Sequence, residues 1–203
     1  HKHNILFHTD AVQAVGKIPI NLSKLPIDLF SLSSHKIYGP KGVGALYHTK
    51  EITFDPLLQG GGHEWGKRSG TLNTPGIVGL GKACELSKQR LYNDITHLQK
   101  IRDYFIEQLN EIESSTLNGH PTKRLVNNIH FRFDGIEGNA LHSMLDEKGI
   151  SIATGSACSS EKIQASHVLL ALGLRPEDAI SSIRFTLRLK CSNSLFFCLI
   201  SFA

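Results

Sequence analysis

Apolar positions along the chain change period several times, and each change marks an element. Ile5-Leu-Phe-His-Thr9 is a short apolar run that ends at Asp10, as a buried strand would. Ala11 to Val15 has room for a helical turn or two. Ile27-Asp-Leu-Phe-Ser-Leu32 predicts a second strand, and Ala45-Leu-Tyr47 predicts a third beyond a cluster of glycines. Strand, short crossover and strand predict neighbours in an α/β sheet. If the strands are parallel, Asp10 and the Ser33–Lys36 segment share the carboxyl edge, where open α/β sheets bind ligands.

Leu58-Gln-Gly-Gly-Gly-His63 reads as a flexible loop. Thr74-Pro75 predicts a helix start, with Thr74 as N-cap and Pro75 in the first position. A longer helix follows, its apolar face marked by Leu91, Ile95, Leu98, Ile101, Phe105, Leu109 and Ile112 at steps of three and four. Asn118-Gly-His-Pro121 is a turn. Ile129, Phe131 and Phe133 alternate with His130 and Arg132, the pattern of a half-buried strand. Ala140 to Lys148 predicts a helix stopped by Gly149. Beyond it come a strand over Ile150 to Ala153, a small-residue loop over Thr154 to Ser160, a helix over His167 to Leu172 and a strand over Ile183 to Leu187. This order divides the chain into an α/β unit over residues 1–90 and a smaller α+β unit over 91–203, without an internal repeat. The apolar stretch Leu195–Ala203 is too short to span a bilayer and reads as a buried strand or an aggregation-prone segment.

Composition narrows the class. The 203 residues are 40% apolar and 20% charged, which is ordinary for a soluble globular chain. The net charge of +4 is mild and no dense Lys/Arg run occurs, so direct nucleic-acid binding has no support. Cys84, Cys158, Cys191 and Cys198 form neither a C-x-x-C pair nor a zinc spacing, which implies free thiols in a reducing compartment. The scattered histidines define no metal site. The opening His-Lys-His-Asn-Ile-Leu-Phe carries no signal-peptide pattern and begins within a strand, as a fragment would.

The chemistry concentrates in Ser31-Leu-Ser-Ser-His-Lys-Ile-Tyr-Gly-Pro-Lys-Gly42, where an apolar strand ends in hydroxyls, an imidazole and cations. Pyridoxal phosphate needs a lysine amine for its aldehyde, an acid for its pyridinium nitrogen and donors for its phosphate. Lys36, Asp10, and Ser33 with His35 supply those groups, and Gln13 lies one helical turn beyond Asp10, within reach of the ring hydroxyl. Composition alone leaves a solvated surface loop as the alternative. A second glycine-rich stretch, Gly76-Ile-Val-Gly-Leu-Gly-Lys-Ala83, nearly fits a phosphate-binding G-x-x-x-x-G-K-[ST] loop. It ends in alanine and follows a helix start rather than a strand, so it reads as a helix whose glycines permit close packing.

Five motifs in order carry a resemblance: His8-Thr-Asp-Ala-Val-Gln-Ala-Val-Gly16, Ser33-Ser-His-Lys-Ile-Tyr-Gly-Pro-Lys-Gly42, Arg68-Ser-Gly-Thr71, Gly155-Ser-Ala-Cys-Ser159 and Ser182-Ile-Arg184. From residue 1 to about Arg188 the chain resembles the cysteine desulfurases of the class V aminotransferase superfamily, fold-type-I enzymes that supply sulfur for iron–sulfur clusters and tRNA thiolation. The resemblance implies a partial large cofactor-binding domain followed by the small α+β domain. It assigns Lys36 to the Schiff-base lysine, Asp10 to the pyridine-nitrogen partner, Gln13 to the ring hydroxyl, and Ser33 and His35 to the phosphate. It assigns Thr71 to a phosphate in the neighbouring subunit's site, which implies a homodimer. It assigns Cys158 to the persulfide-forming cysteine, with contact to an iron–sulfur cluster left open, and Arg184 to the substrate carboxylate. The implied partners are L-cysteine and a sulfur-acceptor or iron–sulfur scaffold protein, in the cytoplasm or an organellar matrix, with no membrane.

The resemblance has limits that set the alternatives. The family's amino-terminal half, with its phosphate-binding helix and its ring-stacking histidine, lies outside the sequence. Trp65 stands where relatives often carry a basic residue. Leu187 occupies a glycine position, and the tail from about residue 189 runs unlike the family. A selenocysteine lyase or another pyridoxal-phosphate-dependent C–S lyase is one alternative. An inactive, truncated fragment is the other.

Overall fold

The computed structural model describes residue 3, residues 5–154 and residues 165–189. The chain divides into two compact units, residues 1–91 and residues 92–203.

The first unit is built on a three-stranded sheet of β1 (His8–Asp10), β2 (Leu29–Ser33) and β3 (Gly44–His48), in that order. β1 and β2 are parallel, with Asp10 opposite Ser31, and β2 and β3 are antiparallel. The predicted first strand is shorter than its apolar run. Residues 5–7 lie before the ladder; the Phe7 carbonyl accepts from the Asp28 and Leu29 N–H groups, and the Phe7 N–H donates to Asp28 Oδ2 at 2.7 Å. β2 leads directly into a 3₁₀ turn, Ser34–Ile37, which ends with Tyr38 in the left-handed region. Ile37 packs with Leu80 and Ala83, and Val15, Leu32, Val43 and Cys84 complete this small core.

The predicted helix start and the helix after it are one continuous α1, Thr74–Asn110. Thr74 is not its cap. The Oδ1 of Asn73 accepts from the Gly76 N–H at 3.2 Å, so Asn73 caps the helix and Thr74 is its first residue. Asn is among the strongest capping residues, and Pro75, in the first turn, gives up an N–H that has no helical partner there. Within the near-miss phosphate loop, Gly79 permits close approach: a Cβ there would lie 2.5 Å from Cγ of Pro40.

The second unit has an antiparallel sheet of β4 (Ser115–Leu117), β5 (Asn128–Phe133) and β6 (Ser182–Thr186), with β5 in the middle. Alternation puts Ile129, Phe131, Ile183 and Phe185 on one face, and Leu98 and Ile101 of α1 belong to the same core. Phe105 and Phe185 meet edge to face, with ring centroids 5.1 Å apart. Among the described residues the unit also has three short helices: α2 (Gly138–Asp146), α3 (His167–Ala171) and α4 (Pro176–Ile180).

Residues 150–153 form no strand. Only Ala153 bridges, exchanging both backbone hydrogen bonds with Arg184. β4 and α4 are additions that the sequence pattern did not single out, since three-residue strands and five-residue helices carry too few periods to register. Cys158, most of the predicted Thr154–Ser160 loop and the apolar tail lie outside the described residues. Among the described residues, no helix is long and apolar enough to cross a membrane.

Candidate functional site

The parallel pairing of β1 and β2 brings two chain segments to one sheet edge. Asp10 ends β1 and Ser33 ends β2, and the Ala11 N–H continues the ladder to the Ser31 carbonyl at 3.0 Å. Asp10 is exposed, and its Oδ1 accepts from the Val12 N–H at 3.0 Å, which leaves Oδ2 open to another donor. Gln13 follows on the turn after β1, with its side chain exposed.

The 3₁₀ turn after β2 spaces the remaining groups. Ser33 Oγ and His35 Nδ1 lie 2.8 Å apart, so the serine orients the ring and leaves its Nε2 outward-bound for hydrogen bonding. Ser34 points inward instead. It is fully buried, and no described group bonds its hydroxyl. Lys36 is half-buried and the next residue, Ile37, anchors the turn in the core. Asp10, Ser33, His35 and Lys36 are therefore gathered at the carboxyl edge of one parallel pair.

A neighbouring lysine belongs to the same place. Lys17 Nζ donates to the Lys36 carbonyl at 3.4 Å. Burial, and after it the charge of Lys36, pull the Lys17 ammonium down from 10.5 to about 8. Gly16 makes this placement feasible: it has φ 74°, and a Cβ there would lie 2.3 Å from Ser87 Oγ. The sequence offered one signal for Lys17, its place directly after the glycine that ends the first motif.

Thr71 lies elsewhere in the first unit, exposed, on the segment before α1. That segment is fastened by Ser69, whose Oγ donates to the Gly61 carbonyl at 2.5 Å and whose N–H donates to the Leu58 carbonyl at 3.1 Å. Arg184 lies in the second unit, on β6 opposite His130 of β5. Its Nε is buried with no hydrogen-bond partner among the described residues. Among the described residues, no group of three or more His, Cys, Asp or Glu side chains could hold a metal ion.

The parallel strand pair thus carries an acid on one carboxyl end and a hydroxyl, an imidazole and an amine on the next. The Aminotransferase class-V family matches residues 1–193, past Arg188, and the chain belongs to that family. The chain is 51% identical over 186 residues to the cysteine desulfurase IscS of Methanosarcina thermophila, covering 92% of this chain and 46% of that protein. It is 49% identical over 189 residues to the cysteine desulfurase IscS of Dictyoglomus turgidum, covering 93% and 48%. Among solved structures it is similar to a NifS-like protein at 35% identity and a TM-score of 0.85, covering 95% of this chain and 49% of that one. A NifS-like protein from Rickettsia africae aligns at 29% identity and a TM-score of 0.86, covering 94% and 50%. The chain thus has the fold of the fold-type-I pyridoxal phosphate enzymes, and it spans about half the length of the curated relatives it matches.

Proposed function

We propose that this chain, which spans about half the length of the curated relatives it matches, belongs to a pyridoxal-phosphate-dependent cysteine desulfurase that converts L-cysteine to L-alanine. The observation that carries this is the meeting of Asp10, Ser33, His35 and Lys36 at the carboxyl end of β1 and β2. Those groups fit the cofactor. Oδ2 of Asp10 is open to a ring N–H, the Ser33–His35 pair offers donors to a phosphate, and Lys36 supplies an amine.

When bound, the cofactor supplies an electron sink for charge that develops on the substrate carbon. Asp10 would hold the proton on the ring nitrogen, and Gln13 would serve the ring hydroxyl. Lys36 Nζ would hold the aldehyde carbon and, when free of it, would move a proton at the substrate carbon. Arg184 grips the substrate carboxylate with two hydrogen bonds, a role supported by its buried Nε having no hydrogen-bond partner among the described residues. The Cys158 thiolate attacks the substrate sulfur. An S–S bond forms, the C–S bond breaks, its electron pair stays on carbon and is protonated, and alanine leaves.

Thr71 completes the phosphate site of a second subunit, so the working form is a homodimer. The persulfide sulfur passes to an acceptor protein of iron–sulfur cluster assembly or tRNA thiolation, in the cytoplasm or an organellar matrix. The relatives it matches are about twice as long, and the 203-residue chain assayed by itself is expected to be inactive. The divisions at residue 90 and residue 189 mark the large domain, the small domain and an atypical tail.

Cofactor trapping tests this reading. The purified chain is mixed with pyridoxal phosphate and reduced with borohydride, and the modified lysine is mapped by mass spectrometry. Selective modification of Lys36, lost in Lys36→Ala, is the expected result. Modification spread evenly over the lysines overturns the assigned pocket for this chain.

A further inference from the structure

The polar face of β5 and β6 holds a chain of hydrogen bonds that fixes the protonation of one imidazole. Ser182 is fully buried on β6, and its hydroxyl donates to the Asp178 carbonyl of α4 at 2.7 Å. That commits its only proton, so toward Asn118 Ser182 Oγ can only accept. Asn118 therefore presents its amide nitrogen, and Nδ2 donates to Ser182 Oγ at 2.9 Å. The second proton on Nδ2 faces Nδ1 of His130, also at 2.9 Å. Nδ1 must then be the acceptor, and the proton of the neutral ring sits on Nε2.

Charge holds the ring in that form. Burial, then Arg184 across the strand pair, then Arg124 of the loop before β5 lower the His130 imidazolium from 6.5 to about 4. Arg124 is fixed nearby, its guanidinium donating to the Asn118 carbonyl at 2.7 Å. Among the described residues, no carboxylate answers Arg184 and its buried Nε has no hydrogen-bond partner. Two N–H donors, one charged and one neutral, thus stand at paired positions of adjacent strands, His130 opposite Arg184.

We propose that His130 is a specificity-determining residue of the substrate site, donating from Nε2 to the same carboxylate that Arg184 grips. This role rests on Arg184 holding the substrate carboxylate, as proposed above. A neutral donor beside the arginine adds a hydrogen bond without adding charge, so it favours a planar monoanion. An aspartate at position 130 would occupy Arg184 internally and exclude the ligand.

The experiment is NMR on the 15N-histidine-labelled chain, with acetate as the carboxylate probe. Long-range 1H–15N spectra at neutral pH should show His130 protonated at Nε2, and a ring protonated at Nδ1 would overturn the proposal. Acetate should shift the His130 Nε2 resonance. His130→Phe should weaken acetate binding about 3- to 10-fold, the worth of one neutral hydrogen bond, and His130→Gln, which keeps an N–H donor, should recover most of it. Arg184→Met should abolish binding. If Arg184→Met abolishes binding while His130→Phe leaves it unchanged, the His130 role fails and the arginine assignment stands. If acetate binds Arg184→Met as well as the parent chain, the arginine assignment itself fails.

Discussion

Ser33 and His35 are held to each other, hydroxyl oxygen to Nδ1 at 2.8 Å, across the turn that delivers Lys36. The pair is a preformed donor set at the end of a strand, and each member orients the other. Removing either should cost cofactor affinity while leaving Lys36 in place. Ser33→Ala and His35→Ala should each weaken pyridoxal phosphate binding about 10-fold, as for loss of a hydrogen bond to a charged group. The double variant should lose less than the product of the two, since they share one bond. Absorbance titration with the cofactor measures this, and a strictly multiplicative loss would show that the two act independently.

Lys17 makes a prediction about alkaline pH. Its folded-state pKa is lowered from 10.5 to about 8, so between those values the unfolded chain binds more protons than the folded one. Stability from this group rises as pH climbs through that window, and its full penalty is present below about pH 8. Allowing for partial exposure, the penalty is about 1–2 kcal/mol. Lys17→Met should raise stability at neutral pH by that order and flatten the alkaline rise. Urea melts of the two proteins at neutral pH and near the upper end of the window decide it.

His130 makes the complementary prediction on the acid side. Its folded pKa is lowered from 6.5 to about 4, so its favourable state is fully present above 6.5 and is lost as pH falls through that interval. His130→Gln should flatten the loss of stability between those two values. Arg184→Met should narrow the interval, because part of the shift comes from that guanidinium. Chemical denaturation across the interval gives the slopes, and identical slopes in all three proteins would contradict the prediction.

Ser34 and Gly39, on either side of Lys36 in the sequence, form a steric pair. A Cβ at Gly39 would lie 2.2 Å from Ser34 Oγ and 2.9 Å from Cβ of Ala83. Gly39→Ala should therefore destabilise by about 1–3 kcal/mol through overpacking. Ser34→Ala removes a buried hydroxyl with no described partner and should be neutral or stabilising by up to about 1 kcal/mol. In the double variant Ala83 still obstructs, so the rescue is partial. A double-mutant cycle from thermal melts measures that coupling.

The edge of β1 and β2 was legible because it rests on short-range features. A strand, a brief crossover and a second strand leave little choice of neighbour, and the polar residues follow directly on the second strand. The single α1 was less legible. Its two apolar patterns face different cores, Leu80 and Ala83 in one and Leu98 and Ile101 in the other, so the periodicity breaks although the backbone does not. The cap moved by one residue because Asn73 and Thr74 are both good caps and only the fold decides between them. Ile150 to Ala153 has strand composition, yet only Ala153 finds a ladder partner. Lys17 and His130 stayed hidden for a common reason. What distinguishes them is burial and the nearness of a second cation far away in sequence, neither of which a local pattern records.

The contact between Gly79 and Pro40 carries a consequence for sequence drift. Position 79 lies in a helix, where alanine would ordinarily be the better residue. Here any side chain must push against a ring four residues past Lys36. Mutational freedom at a helical position is thus subordinate to a turn nearly forty places earlier in the chain. A lineage that exchanged this glycine would have to reshape the Gly-Pro-Lys-Gly segment in the same step, so the two sites should change together or stay fixed together.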